Sequence, residues 1–172
     1  MKRSTLAKAI ACGLLLGMCA LATLPARAQN RAEGKLEVNG KTLAIAQVYA
    51  YAVEGFFDKK KQDVTVLLCD APVPAAAVRD VFARKELADA GKLHCVQQVI
   101  NAEKQVINFE VRDKGFGSRP PGGGSTEHVF EAKTFDGKTI AGRSRTKSPQ
   151  KSFDDVPYSY DITFSAAIEP RK

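Results

Sequence analysis

The clearest pattern in the chain is the alternation of residues 158–168. Tyr158, Tyr160, Ile162, Phe164, Ala166 and Ile168 take one side, and Ser159, Asp161, Thr163, Ser165 and Ala167 the other. Period two predicts a half-buried antiparallel strand. The same period marks a hairpin over residues 35–45, with Leu36 and Val38 before Asn39-Gly40, and Leu43 and Ile45 after it. Asn-Gly supplies the two left-handed residues of a type I′ turn, which sets Val38 opposite Lys41 and Leu36 opposite Leu43. The second arm is predicted to run on to Val53, where residues 56–62 form a solvated loop carrying Lys59, Lys60 and Lys61.

Residues 63–69 are rich in β-branched side chains and read as a buried strand. Residues 93–101 and 105–112 form a second hairpin around Ala102-Glu103-Lys104. A third joins residues 128–134 to 138–147 through Phe135-Asp136-Gly137. A three-residue loop with a left-handed Gly137 turns Phe130, Ala132, Ile140 and Gly142 inward, and Glu131, Lys133, Arg143 and Arg145 outward. One helix is predicted over residues 74–90. It buries Val78, Val81 and Phe82 at i, i+3 and i+4, keeps Arg79, Arg84 and Lys85 off that face, and stops at Gly91.

Residues 113–125 are too rich in Gly and Pro for regular structure. They lack the Gly-Lys-Ser/Thr ending of a phosphate loop and read as a mobile loop. The count is about eight strands, with one helix inserted between strands 3 and 4. It describes a mainly β fold, a single antiparallel β-sandwich or barrel.

Residues 1–28 stand apart. Lys2 and Arg3 precede an uncharged run over residues 9–24, Pro25 ends the run, and Ala26-Arg27-Ala28 offers small residues at the −3 and −1 positions. This is the pattern of a secretory signal peptide cleaved after Ala28. Sixteen apolar residues are short of the ~20 needed to span a bilayer, so no transmembrane segment is expected after cleavage. The mature domain is then 29–172, in the periplasm or secreted from a bacterium.

Export changes the charge argument. The whole chain carries +7, but residues 1–28 hold Lys2, Arg3, Lys8 and Arg27 and no acid, so the remaining 144 residues carry +3. That balance argues against a nucleic-acid partner. It also leaves two cysteines, Cys69 and Cys95, in an oxidising compartment, where a disulfide is the expected state. Their bonding favours antiparallel neighbouring strands with the helix as an excursion between them.

Candidate chemistry is sparse. Asp154-Asp155 adjoins Pro157 in a turn, and no Gly-x-Ser-x-Gly elbow is present. His94 and His128, with the two cysteines, have no zinc-ligand spacing, so no metal and no cofactor are expected. The strongest surface is the outward stripe of Arg143, Arg145 and Lys147 at period two, suited to an anionic protein, lipid or envelope polymer. The sequence therefore predicts an exported, non-catalytic binding protein of adaptor or inhibitor type. The alternatives are a small hydrolase using His128 near the Gly-rich loop, and a small-ligand carrier whose mouth is lined by Phe56, Phe57, Phe109, Tyr158 and Tyr160.

Overall fold

The computed structural model describes residues 30–171, so the expected signal peptide and its cleavage site lie outside the described residues. Its strands are β1 (Arg31–Val38), β2 (Lys41–Ile45), β3 (Gln47–Glu54), β4 (Gln62–Cys69), β5 (Cys95–Ile100), β6 (Val106–Arg112), β7 (Gly122–Gly123), β8 (His128–Phe135), β9 (Thr139–Thr146), β10 (Gln150–Lys151) and β11 (Pro157–Glu169). The helix α1 (Val81–Asp89) lies between β4 and β5, where it was expected.

These strands form one open, mixed sheet in the order β2-β1-β11-β3-β4-β5-β6-β7. On the opposite edge of β11 lie β9, with β8 beyond it, and the short β10. The alternation of β11 is borne out: Tyr158, Tyr160, Ile162, Phe164 and Ala166 are all buried. So is the first hairpin, with Val38 opposite Lys41, Leu36 opposite Leu43, and Asn39 and Gly40 both left-handed.

Two expectations about the sheet are corrected. Eleven strands replace eight, because Ala46 breaks the long second arm and β7 and β10 add two-residue pairings. The Ala46 N–H leaves β1 and donates to the Cys69 carbonyl (3.1 Å), handing the chain from one half of the sheet to the other. Nor is the sheet wholly antiparallel. β11 is 13 residues long and outruns β1, so its end pairs in parallel with β3 at Ile168–Ala50 and Glu169–Tyr51.

The two halves of the sheet share one apolar core. Leu36, Ile45, Phe130, Ile140, Ile162 and Phe164 come from one half, and Val66, Leu68, Val96, Ile100 and Val111 from the other. A second cluster, containing Tyr51, Leu67, Val73, Val78 and Leu93, covers the opposite face of β3, β4 and β5. β4 is therefore buried on both faces, without a break from Asp63 to Cys69.

Cys69 and Cys95 face each other across the antiparallel β4–β5 pair, with Cα atoms 4.2 Å apart, and are bonded. The link closes the 70–94 excursion. Loop-closure entropy makes it worth about 3 kcal/mol.

The helix differs from its prediction in length and in phase. It begins only after Asp80, whose side chain accepts from the Phe82 and Ala83 N–H groups, while residues 74–79 form turns. The cap rotates the helix relative to Val78. Val78 stays buried, but Phe82 is 76% exposed and Val81 40%, and the inward residues are Arg84 and Ala88. The Arg84 guanidinium donates to the Ala77 and Val78 carbonyls (3.0 and 2.6 Å) and to Gln97 Oε1 (2.7 Å). Burial lowers its pKa, and these three acceptors offset the loss of water.

The third hairpin keeps most of its predicted faces with a different turn. Phe130, Ile140 and Gly142 are buried and Gly137 is left-handed, but β8 runs through Phe135, so the three-residue connection is 136–138, one residue later than expected. A bulge between Ala132 and Thr134 absorbs the register change and leaves Ala132 exposed.

Candidate functional site

Inward positions on four strands place polar side chains in the shared core, where period two would put apolar ones. Gln98 falls between Val96 and Ile100 on the inner face of β5, and Ser144 follows Ile140 and Gly142 on the inner face of β9. His128 opens β8 two residues before the inward Phe130, and Tyr158 and Tyr160 begin β11. All five are buried.

They form one chain of hydrogen bonds across the core. The Ser144 hydroxyl donates to Gln98 Oε1 (2.6 Å), and Gln98 Nε2 donates to the Tyr160 hydroxyl (2.8 Å). Tyr160 lies 2.8 Å from His128 Nδ1, and His128 Nε2 lies 3.3 Å from the Tyr158 hydroxyl. The proton order follows from the first donor. Tyr160 accepts from Gln98, so its own proton goes to Nδ1, and a neutral imidazole then carries its proton on Nε2 toward Tyr158.

His128 is neutral at physiological pH, since burial lowers its pKa to about 4. Burial also pushes the Tyr158 phenol up, to about 12. The imidazole stacks on Phe109 of β6, with centroids 3.5 Å apart and planes 15° from parallel, so it bridges the two halves of the sheet.

The chain ends at a cleft of about 540 Å³. His128, Tyr158 and Phe109 form its buried floor, residues 119–125 one wall, and residues 150–153 the other. The expected juxtaposition of His128 with the Gly-rich loop is therefore present. The wall is more ordered than a mobile loop: Gly122 and Gly123 pair with β6, and the Val111 N–H donates to the Pro121 carbonyl (2.9 Å). At the rim, Arg119 lies 4.3 Å over the Phe153 ring and pairs with Asp154, while Lys151 contacts Asp155 at 3.5 Å.

As a catalytic base His128 is poorly placed. Nδ1 is engaged by Tyr160, Nε2 faces Tyr158, and among the described residues no serine or cysteine lies in hydrogen bond with either nitrogen. The arrangement is suited to holding: once Tyr158 accepts from His128, its own proton is free to be donated toward the cleft.

The basic stripe is in place along β9, with cross-strand partners. Arg143 reaches Asp161 on β11 through Nε (2.7 Å) and Nη2, which holds the Asp161 carboxyl below the usual carboxylate range. Arg145 Nε donates to Glu131 on β8 (2.8 Å). Lys147, just beyond β9, has no carboxylate within 4 Å among the described residues. A cleft of about 730 Å³ opens beside this face, lined by Arg31, Glu33, Glu131, Lys133, Arg143 and Thr163 among others.

Of the aromatic residues suggested for a ligand mouth, Phe109, Tyr158 and Tyr160 gather around His128, whereas Phe56 and Phe57 lie exposed on the loop before β4. His94 belongs elsewhere, at the sheet end beyond the disulfide. Its Nδ1 lies 2.6 Å from Asp113, and its N–H donates to Asp70 (2.8 Å).

The sequence reading missed Gln98 and Ser144. Each is a polar residue at an inward position of an otherwise apolar strand face, and that signal was available. Among the described residues no group of three or more His, Cys, Asp or Glu is arranged to hold a metal, and no helix is long and apolar enough to cross a membrane. In comparisons with known proteins the chain matches no family model, no curated protein and no solved structure.

Proposed function

We propose that the chain is an exported, non-catalytic binding protein of the periplasm or extracellular medium, and that its ligand seat is the cleft above His128 and Tyr158. On this reading the two halves of the sheet act as a sandwich, and the cleft is the gap left where β7 and β10 fail to meet. The observation that carries it is the ordered polar chain from Ser144 to Tyr158, which directs a phenolic donor to a concave site walled by cations and an aromatic ring. Such a site fits a ligand with a hydrogen-bond acceptor or anionic group beside an apolar part, presented by an envelope or extracellular partner. The disulfide, and a His128 whose two ring nitrogens are both taken up by tyrosines, are in keeping with that role.

Native mass spectrometry of the protein recovered from its host tests this. The wild type is expected to carry bound mass that is lost on denaturation, and Arg119→Glu combined with Lys151→Glu is expected to lose it while keeping its circular dichroism spectrum. Equal bound mass in the double variant overturns the cleft assignment. A second reading places an anionic partner on Arg143, Arg145 and Lys147, favoured by the cleft that Arg143 lines. Arg143→Glu with Arg145→Glu separates the two, because it leaves the His128 cleft intact.

A further inference from the structure

The 55–61 loop holds two phenylalanines in water. Phe56 and Phe57 are 76% and 77% exposed, and their rings meet edge to face at 5.0 Å. They are the only adjacent pair of exposed large apolar side chains with rings among the described residues. Phe82 has no such ring beside it, and Phe153 lies beneath the Arg119 guanidinium.

This display is built into the loop. The Gly55 N–H donates to the Lys61 carbonyl (3.1 Å) and the Lys61 N–H to the Asp58 carbonyl (2.9 Å). The Phe56 N–H donates to the buried Asp63 carboxylate (2.9 Å). A side chain at Gly55 would overlap the Asp58 carbonyl oxygen, so the closure requires glycine there. The backbone is thus fixed by its own hydrogen bonds, with both rings turned outward.

The charge around the rings is positive. Lys59, Lys60 and Lys61 follow them after Asp58, and a Lys61–Glu103 ion pair brings the neighbouring turn, with Lys104, alongside. Arg171 joins through Glu54 (2.8 Å). Five cations therefore stand with four carboxylates, those of Glu54, Asp58, Glu103 and the buried Asp63, and the Lys60 and Lys104 ammonium groups have no carboxylate within 4 Å among the described residues.

We propose that this loop docks the protein on an anionic lipid surface, with Phe56 and Phe57 inserted at headgroup depth and the surrounding lysines against the phosphates. An apolar tip that projects into solvent and is ringed by cations matches the vertical order of a bilayer, apolar below and negative above. Neither ring contributes to the core, so the fold itself gives no reason for the pair.

The test uses the protein purified from its host and sedimented with mixed phosphatidylcholine–phosphatidylglycerol vesicles or with phosphatidylcholine alone. Binding is expected to the mixed vesicles, to weaken with added salt, and to fall at least about tenfold in the Phe56→Ser, Phe57→Ser variant with its circular dichroism unchanged. The sequence contains no tryptophan, so Phe57→Trp gives a single reporter whose emission shifts to the blue when vesicles are added. Failure of the wild type to sediment with either vesicle overturns the proposal. So does equal binding by the serine variant, or an unshifted indole emission from the Phe57→Trp variant when it has sedimented with vesicles. Loss of a protein partner in the serine variant, without vesicle binding by the wild type, assigns the rings to protein docking instead.

Discussion

At the scale of single residues, the buried polar side chains hold most of the specificity. Gln98 is fully buried and satisfied through Ser144 and Tyr160, so an apolar replacement would leave two hydroxyls without their partner. His128 adds a pH dependence of definite sign. Its folded pKa of about 4 lies below the ordinary 6.5, so the unfolded chain binds the proton more readily. The stability associated with the neutral imidazole is complete above about pH 6.5 and is lost as the pH falls toward 4, by at most about 3 kcal/mol. Urea unfolding at pH 7.5 and pH 4.5 should therefore show a smaller fall in midpoint for His128→Gln than for the wild type. A parallel fall in both proteins would remove His128 from the acid response.

At the scale of elements, α1 provides the sharpest test, because its observed face is nearly the reverse of the predicted one. Phe82→Ser is expected to change stability by no more than about 0.5 kcal/mol, as a surface substitution. Arg84→Met should cost about 2 kcal/mol or more, since it strips the donor from two carbonyls and Gln97. Thermal unfolding of the two variants checks the order, and a larger loss from Phe82→Ser would restore the sequence-based face.

The error has a local cause. The predicted face includes Val78 only if one helix runs from Pro74, whereas Asp80, a favoured N-cap residue, marks the true start. Elements specified by neighbouring residues were legible: Asn39-Gly40 fixed a hairpin register, and alternation fixed the buried side of β11. Features that depend on distant partners were not. No local pattern announces that Ala46 will donate to Cys69, that β11 will outrun β1 and meet β3 in parallel, or that Gly122 and Gly123 will find β6. The candidate site was half legible. His128 and the Gly-rich loop were marked by residue type, and their meeting in one cleft is a product of tertiary packing.

At the scale of the whole molecule, β11 is the common member. It pairs with β1 on one edge, with β9 and β10 on the other, and with β3 at its end. Hydrogen exchange should follow that arrangement. Backbone amides of residues 161–165, in the stretch paired on both edges and over the core, are expected to open only with global unfolding, whereas those of residues 122–123 and 150–151 exchange through local opening. Similar protection in the two sets would show that the halves of the sheet do not depend on β11.

The β1–β11 pairing also bears on how the fold can be reached. Its partners, from Val38–Tyr158 to Arg31–Ser165, lie 120 to 134 residues apart. A chain that emerges N-terminus first from a ribosome presents β1 more than a hundred residues before β11. Until then the apolar side of the first hairpin has no permanent neighbour, and nearly the whole domain must be held loose or chaperoned. The last strand to arrive is the one that lets the first settle.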